Sequence, residues 1–270
     1  MTHKNDLGKK YGKLALVAGA SEGIGAAFSA TLAKAGMDLI LIARKKEPLE
    51  QVASDLYGKY KVNVRTFSCD LSEPDSIKQI QSAVNDKHVD MLVYNAALSF
   101  IGPFENDTMD HCNRIATANM ITPMNLVKIY GEEMVKRGRG AIILMSSMAG
   151  SQGSGFLSSY AASKAFNRVF AESLWYEWKD KGVDVIACCA GATSTKNYLA
   201  TNPGKSSLFA PRVTTPEEVV EECFRHLGKR PSFIAGSGNK IASFLMQRIM
   251  PRKMAVNMMG NTTRNIYKIR

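Results

Sequence analysis

Short apolar runs alternate with stretches of helical periodicity along the whole 270-residue chain. The runs "LALVAG", "MDLILIA", "VNVRTFS", "DMLVYNA", "GAIILMSS", "VDVIACCAG" and "SFIAG" are strand candidates. Seven such runs separated by helical segments argue for a parallel sheet covered on both faces. Right-handed crossovers then lead to a doubly wound, Rossmann-type α/β fold with a mainly parallel seven-stranded sheet. Helix starts agree with this rhythm: a glycine-rich entry before "GAAFSATLAKAG", Pro48 opening "PLEQVASDLYGKY", Ser72 capping "SEPDSIKQIQSAV" and Pro216 opening "PEEVVEECFRHLG". The length suits one undivided domain over residues 1–270.

Two segments break the rhythm. Residues 194–213, "STKNYLATNPGKSSLFAPRV", mix Pro, Gly and Ser after the sixth strand. Ligands of open α/β sheets bind at that carboxyl end, so the stretch reads as a substrate-covering loop or as a plain surface excursion. Residues 240–270 are methionine-rich and amphipathic, and carry Lys240, Arg248, Arg252, Lys253, Arg264, Lys268 and Arg270 with no Asp or Glu. These seven account for most of the net charge of +11. The remainder is mildly basic, which suits a phosphorylated small molecule and gives no reason to expect nucleic acid. The extension is expected to pack over the substrate pocket or against a second subunit, with contact to an anionic membrane surface as the weaker alternative.

Five cysteines, an odd number, fit reduced thiols, and four scattered histidines form no metal-ligand spacing with them. No metal is expected. The polar, basic start "MTHKNDLGKKYGK" has no apolar signal-peptide core behind it, and no apolar run reaches the roughly 18 residues of a membrane span. A cytoplasmic protein is expected.

The first chemical motif is "VAGASEGIG", which closes the first strand with Gly19, Gly23 and Gly25 and opens a helix. Gly19 permits the tight turn, Gly23 lets backbone N–H groups approach a pyrophosphate, and Gly25 lets the helix lie close on the sheet. An NAD site usually has an acidic residue about 20 residues later to bind the ribose 2′-hydroxyl. Here the second strand ends "LIARKK", with Ala43 at that place and Arg44 and Lys45 directly after it. A guanidinium matches a 2′-phosphate with forked donors, so NADP(H) is the expected cofactor. Asp70 and Asn95 close the third and fourth strands along the adenine edge; each serves equally as a helix cap or a strand-end hydrogen bonder.

The second motif is "YAASK", with Tyr160 and Lys164 one helical turn apart. Spacing alone is weak evidence, because Tyr57 and Lys61 repeat it. Ser147, thirteen residues before Tyr160 at the end of the fifth strand, separates the two copies; thirteen before Tyr57 stands Arg44. A tyrosine is a poor base near neutral pH, but a neighbouring ammonium and a cationic nicotinamide ring favour its phenolate.

Together "GASEGIG", "NAA" at Asn95 to Ala97, Asn119, "SSMAG" and "YAASK" resemble, in order and spacing, the short-chain dehydrogenase/reductase family over nearly the whole chain. The resemblance implies that Ser147 hydrogen-bonds the substrate carbonyl, Tyr160 is the general acid or base, Lys164 holds the nicotinamide ribose and Asn119 supports a water relay. It also implies cofactor contacts at Ser21, Ile24, Leu71, Ala96, Gly191 and Thr193. Two departures stand out: the family's "NNAG" is "YNAA" here, and its "PG" after the sixth strand is "AGAT", with Ala190 for proline.

"GATSTKNYLATNPG" and the closing "LGK…IAG…NK" are similar to bacterial hydroxysteroid dehydrogenases, the 7β type in particular, while "GMDLILIARK" is similar to steroid 17β-dehydrogenases and 3-oxoacyl reductases. Phe156, Leu157, Tyr198, Leu199 and Phe209 suit a bulky hydrophobic ketone, and Lys196, Lys205 and Arg212 suit an anionic tail. The expectation is an NADP(H)-dependent ketone/alcohol oxidoreductase on a bile-acid-like hydroxysteroid. A 3-oxoacyl thioester reductase and a non-catalytic dinucleotide sensor are the alternatives. The resemblance further implies a homodimer or homotetramer.

Overall fold

The computed structural model describes residues 7–200 and 213–269. The expected ligand residues Lys205, Phe209 and Arg212 lie outside the described residues. All seven apolar runs form strands: β1 Leu14–Ala18, β2 Asp38–Ala43, β3 Val64–Ser68, β4 Met91–Tyr94, β5 Gly140–Ser147, β6 Val183–Ala190 and β7 Ser232–Ile234. They build one sheet in the order β3-β2-β1-β4-β5-β6-β7, and every pairing is parallel. The sheet is a doubly wound Rossmann fold.

Strand alternation sends neighbouring residues to opposite faces, so each apolar run feeds two cores. Ala15, Val17, Leu39, Leu41, Ile143 and Ile186 are buried on one face under the helices Gly23–Lys34, Lys46–Tyr60 and Pro216–His226. Leu16, Ala18, Ile40, Leu92, Ile142 and Val185 are buried on the other, under Ser76–Val84, the helical stretch 109–137 and Ser158–Trp178. The 109–137 stretch carries π-helical turns at Thr117–Ile121 and Val127–Gly131. Among the described residues no helix is long and apolar enough to cross a membrane.

Two expected helix starts move. The second helix begins at Lys46, so Pro48 stands at its third position; a proline needs no N–H partner anywhere in a first turn, and position one is not required. Ser72 does not cap the next helix, which starts at Ser76 behind Asp75. Its N–H and hydroxyl both turn back to Asp70 Oδ1, at 2.9 and 2.7 Å, because a nearby carboxylate is the stronger acceptor.

The C-terminal extension is helical at Ser237–Phe244 and Arg252–Tyr267, joined by a π turn at Leu245–Ile249. It buries Met246 and Ala255 against Met148, just past the carboxyl end of β5. The Pro216–His226 helix is held by a capping box: the Glu218 N–H donates to Thr215 Oγ1 at 3.2 Å, and the Thr215 N–H to Glu218 Oε2 at 3.0 Å. The expected cost of Thr215→Ala is about 1 kcal/mol of stability. Urea unfolding at neutral pH, with the slope unchanged, measures it.

Candidate active site

The glycine turn is built by exclusion. The N–H groups of Gly19 and Ala20 both donate to the Ile42 carbonyl, at 2.7 and 3.1 Å, which bends the chain sharply as β1 ends. Gly19 has φ 81°, and a Cβ there would stand 2.6 Å from the Ala96 nitrogen. A Cβ on Gly25 would run into the Gly19 carbonyl oxygen. Asn95 Nδ2 donates to that same oxygen at 2.9 Å, so Asn95 acts as a latch on the turn. The helix Gly23–Lys34 then starts with no side-chain cap and no acidic residue in its first turn. Its leading N–H groups and the positive end of its dipole are left for an anion, as a pyrophosphate requires. Ser21 and Ile24 lie in this turn, half-buried, with Ile24 packed on the core. Thr195, from the far side of β6, reaches over Gly23: a Cβ on Gly23 would stand 2.8 Å from Thr195 Cγ2. Only the fold brings these two together.

Arg44 follows β2 with its side chain 54% exposed. Its Nη1 is 3.9 Å from Asp70 Oδ2, while Arg114 Nη2 donates to the same oxygen at 2.9 Å and Arg114 Nε to Ser72 Oγ at 3.1 Å. Burial opposes ionisation of Asp70, but the Ser72 bonds and then the two guanidinium groups overcome it and hold the carboxyl below its usual range. Asp70 is therefore the anchor of an Arg44–Asp70–Arg114 cluster. Arg114, 44 residues from Asp70 on another helix, carries no local sequence mark. Lys45 is exposed at the start of the Lys46–Tyr60 helix. Leu71 is buried in the core, its carbonyl accepting from Thr122 Oγ1 at 2.9 Å. Ala96 donates its N–H to the Ala18 carbonyl at 3.0 Å and faces Gly19.

Ser147 ends β5, and Tyr160 and Lys164 lie on the first turns of the Ser158–Trp178 helix. Lys164 Nζ is 5.7 Å from the centre of the Tyr160 ring. The second copy is almost identical in this respect, with Lys61 Nζ 5.5 Å from the Tyr57 ring. Burial separates them. Tyr57 is 58% exposed on a helix surface, whereas Lys164 is 2% exposed and donates to the Met145 carbonyl at 2.9 Å. Burial pushes the Lys164 ammonium down to about 8 from its ordinary 10.5, with the Cys188 and Cys189 thiols working weakly against that. Burial also raises the Tyr160 phenol; the Ser147 hydroxyl, hydrogen-bonded to it, lowers it, and the phenol of Tyr267 raises it again. The net direction is upward. Close approach of helix and strand depends on Gly150, where a Cβ would stand 2.6 Å from the Ala165 nitrogen, and on Ser146 Oγ, which donates to the Lys164 carbonyl at 2.7 Å.

Asn119 is fully buried in the Thr117–Ile121 π turn. Its Oδ1 accepts from the Leu98 N–H at 2.8 Å, and its Nδ2 donates to the Leu98 carbonyl at 2.8 Å and to Ser163 Oγ at 2.9 Å. Its own carbonyl accepts from Asn167 Nδ2 at 3.0 Å. The side chain thus ties the β4 exit loop to the helix that carries Tyr160. Thr193 likewise turns inward: it is 5% exposed, and its hydroxyl donates to the Gly191 carbonyl at 3.1 Å. Gly191 admits Asn239, whose Nδ2 would stand 2.5 Å from a Cβ there. The substrate loop is pinched at its base, where Ser194 N donates to the Thr214 carbonyl at 2.9 Å and Thr214 N to the Ala192 carbonyl at 3.0 Å. Of its expected ligand-facing residues, Tyr198 is half-buried and Leu199 exposed.

The short chain dehydrogenase family model matches residues 13–205. The 7beta-hydroxysteroid dehydrogenase of Clostridium sardiniense is 34% identical over 232 residues, 86% of this chain and 88% of that protein. The very-long-chain 3-oxoacyl-CoA reductase of Bos taurus is 30% identical over 230 residues, 84% and 72% of the two chains. Among solved structures, one of a 7beta-hydroxysteroid dehydrogenase studied for stereoselectivity superposes with a TM-score of 0.88 at 29% identity, covering 94% of this chain and 98% of that one. A short-chain dehydrogenase from Sphingobium yanoikuyae in complex with NADPH gives 0.73 at 27% identity, covering 83% and 87%. With the glycine turn, Ser147 and the Tyr160–Lys164 pair set around one end of an all-parallel sheet, the chain belongs to the short-chain dehydrogenase family of oxidoreductases acting on alcohols and ketones.

Proposed function

We propose that the protein is an NADP(H)-dependent oxidoreductase that interconverts a bulky ketone, of hydroxysteroid shape, with its secondary alcohol. The observation that carries this reading is the meeting of Ser147, Tyr160 and buried Lys164 at the carboxyl end of β5, beside the glycine turn that ends β1. A dinucleotide fits the residues present: the helix that follows the glycine turn is uncapped and has no acidic residue in its first turn to repel a pyrophosphate. When bound, the nicotinamide supplies or accepts hydride at the substrate carbon.

The side chains then divide the proton work. Tyr160 donates its phenolic proton to the ketone oxygen, and its raised pKa keeps that proton in place at neutral pH. Ser147 donates a hydrogen bond to the same oxygen as charge grows there. Lys164 holds the nicotinamide ribose and, while protonated, favours the tyrosinate needed for alcohol oxidation. Asn119 positions the helix that bears Tyr160 through Ser163. Arg44, already turned toward the adenine edge by Asp70, receives the 2′-phosphate, with Arg114 behind it compensating Asp70. The steroid-shaped substrate rests on the 7beta-hydroxysteroid dehydrogenase relatives. A 3-oxoacyl thioester is the second reading, supported by the 3-oxoacyl-CoA reductase relatives.

Tyr160→Phe is expected to lower kcat for ketone reduction roughly 10²- to 10⁴-fold while leaving NADPH binding intact. A screen of keto-steroids and 3-oxoacyl thioesters with purified enzyme tests this; no turnover with either class, and no effect of the substitution, sinks the enzymatic reading. Arg44→Ala should weaken NADPH by about tenfold or more and leave NADH nearly unchanged, as loss of a charged hydrogen bond requires. A strong preference of the unsubstituted enzyme for NADH would overturn the NADP(H) assignment. For Lys164 the sign follows from its lowered pKa: between about pH 8 and 10.5 the unfolded chain still binds a proton that the folded protein has released. Stability of the unliganded protein therefore gains from this group as pH rises through that window. Urea midpoints from pH 7.5 to 10.5 should show the gain, and Lys164→Met should remove it.

A further inference from the structure

The helix Arg252–Tyr267 lies across the loop that joins Ser147 to Tyr160. Two loop glycines face it: a Cβ on Gly155 would stand a tight 3.3 Å from the Gly260 Cα, and one on Gly153 would be in ordinary contact, 3.5 Å from Val256 Cγ2. Arg252 Nη1 donates to the Ser151 carbonyl at 3.4 Å. Between these contacts Phe156 has φ 64°, a conformation that a bulky residue keeps only where its surroundings hold it. Its carbonyl is fixed by the Gly102 N–H at 3.0 Å. The ring faces the helix, and the Arg264 guanidinium carbon sits 5.1 Å from its centre.

Arg264 is exposed and, among the described residues, forms no ion pair; residues 240–270 contain no Asp or Glu to supply one. An aromatic ring beneath a guanidinium leaves its edge N–H groups pointing outward, in the fork that a carboxylate matches. Three residues on, along the same helix face, stands half-buried Tyr267. Burial and then the Tyr198 phenol raise its own phenol, and it in turn raises that of Tyr160. Tyr267 and Arg264 form a short row on one helix face over the loop that leads to Tyr160, attached about 4.5 Å apart along the helix axis.

We propose that this row selects the substrate by its two ends: Tyr267 flanks the skeleton beside the reacting carbonyl, and Arg264 receives a carboxylate at the far end of an otherwise apolar ketone. This rests on the ketone oxidoreductase reading and assigns two residues that set its specificity.

The test compares a keto-steroid bearing a side-chain carboxylate with its methyl ester. Arg264→Gln should raise KM for the carboxylate about tenfold at unchanged kcat, and so collapse the ester-to-carboxylate KM ratio, while Arg264→Lys restores part of it. Titration calorimetry with the same two compounds should give the same ratio of dissociation constants. In the unsubstituted enzyme the carboxylate's advantage should shrink as salt is raised. Tyr267→Phe should raise KM several-fold for both compounds and leave the KM for NADPH as it was. Equal effects of Arg264→Gln on carboxylate and ester, or none on either, overturn the assignment of Arg264. Failure of the unsubstituted enzyme to bind or reduce either compound counts instead against the steroid-ketone reading.

Discussion

Among the described residues the buried ammonium of Lys164 has no carboxylate partner, and much of the site is arranged around that fact. Its one acceptor among them is the Met145 carbonyl, at 2.9 Å, near the carboxyl end of β5. A buried cation so weakly compensated is costly, which is why its pKa falls to about 8. The fold tolerates it because the Ser158–Trp178 helix is fixed on the sheet by other means. Ser146 holds the Lys164 carbonyl, Gly150 lets the helix come close, and Ala171, Leu174 and Trp178 bury the far end. Packing elsewhere thus keeps Tyr160 and the buried Lys164 in one place.

Topology does the rest of the positioning. Strand order reverses between β1 and β4, which leaves a crevice above their carboxyl ends. The glycine turn comes from β1, Asn95 from β4, Ser147 from β5 and Thr195 from beyond β6, so one short edge gathers groups spread over more than 170 residues of chain. Asn95 links the first two by its bond to Gly19, and Asn119 links the β4 exit loop to the tyrosine helix. These two amides are side-chain ties between elements, added to the backbone ladder and the apolar contacts. Their value lies in fixed orientation, since each buried donor and acceptor demands its partner.

The strands were legible because both faces of a parallel sheet are covered, and doubly buried strands appear as continuous apolar runs. Helix starts were less so. Ser72 looks like a cap from its position, yet its hydroxyl donates to Asp70 and accepts from Arg114, and the helix starts four residues later at Ser76. The Tyr160 motif needed context, and the structure shows why: Tyr57 and Lys61, the left-handed cap residue of its helix, reproduce the ring-to-ammonium distance within 0.2 Å (5.7 − 5.5), so the four-residue spacing generates the pair with or without a continuing helix. Burial, which no local pattern encodes, distinguishes them. Arg114 and Thr195 were invisible for the same reason, being brought to the site by crossovers rather than by spacing. The contacts of Thr193 and Asn119 carry no mark in the sequence: the hydroxyl of one donates to the Gly191 carbonyl, and the amide of the other spans Leu98 and Ser163.

The basic C-terminal extension shows how a charge total misleads. Its seven cations suggest a uniform patch, but the fold gives several of them individual tasks. Lys240 pairs with Glu222, Arg252 bonds the Ser151 carbonyl, and Arg264 lies on the Phe156 ring. The first joins the extension to the Pro216–His226 helix, the other two to the loop before Tyr160. The extension leaves most of its large apolar residues exposed or half-buried, only Met246 and Ala255 being deeply covered beside Met148. Polar and cation–aromatic contacts therefore carry a large part of its docking, and such contacts are directional where apolar burial is not. Directional contacts of this kind set the helix Arg252–Tyr267 by angle as well as by depth on the loop that leads to Tyr160.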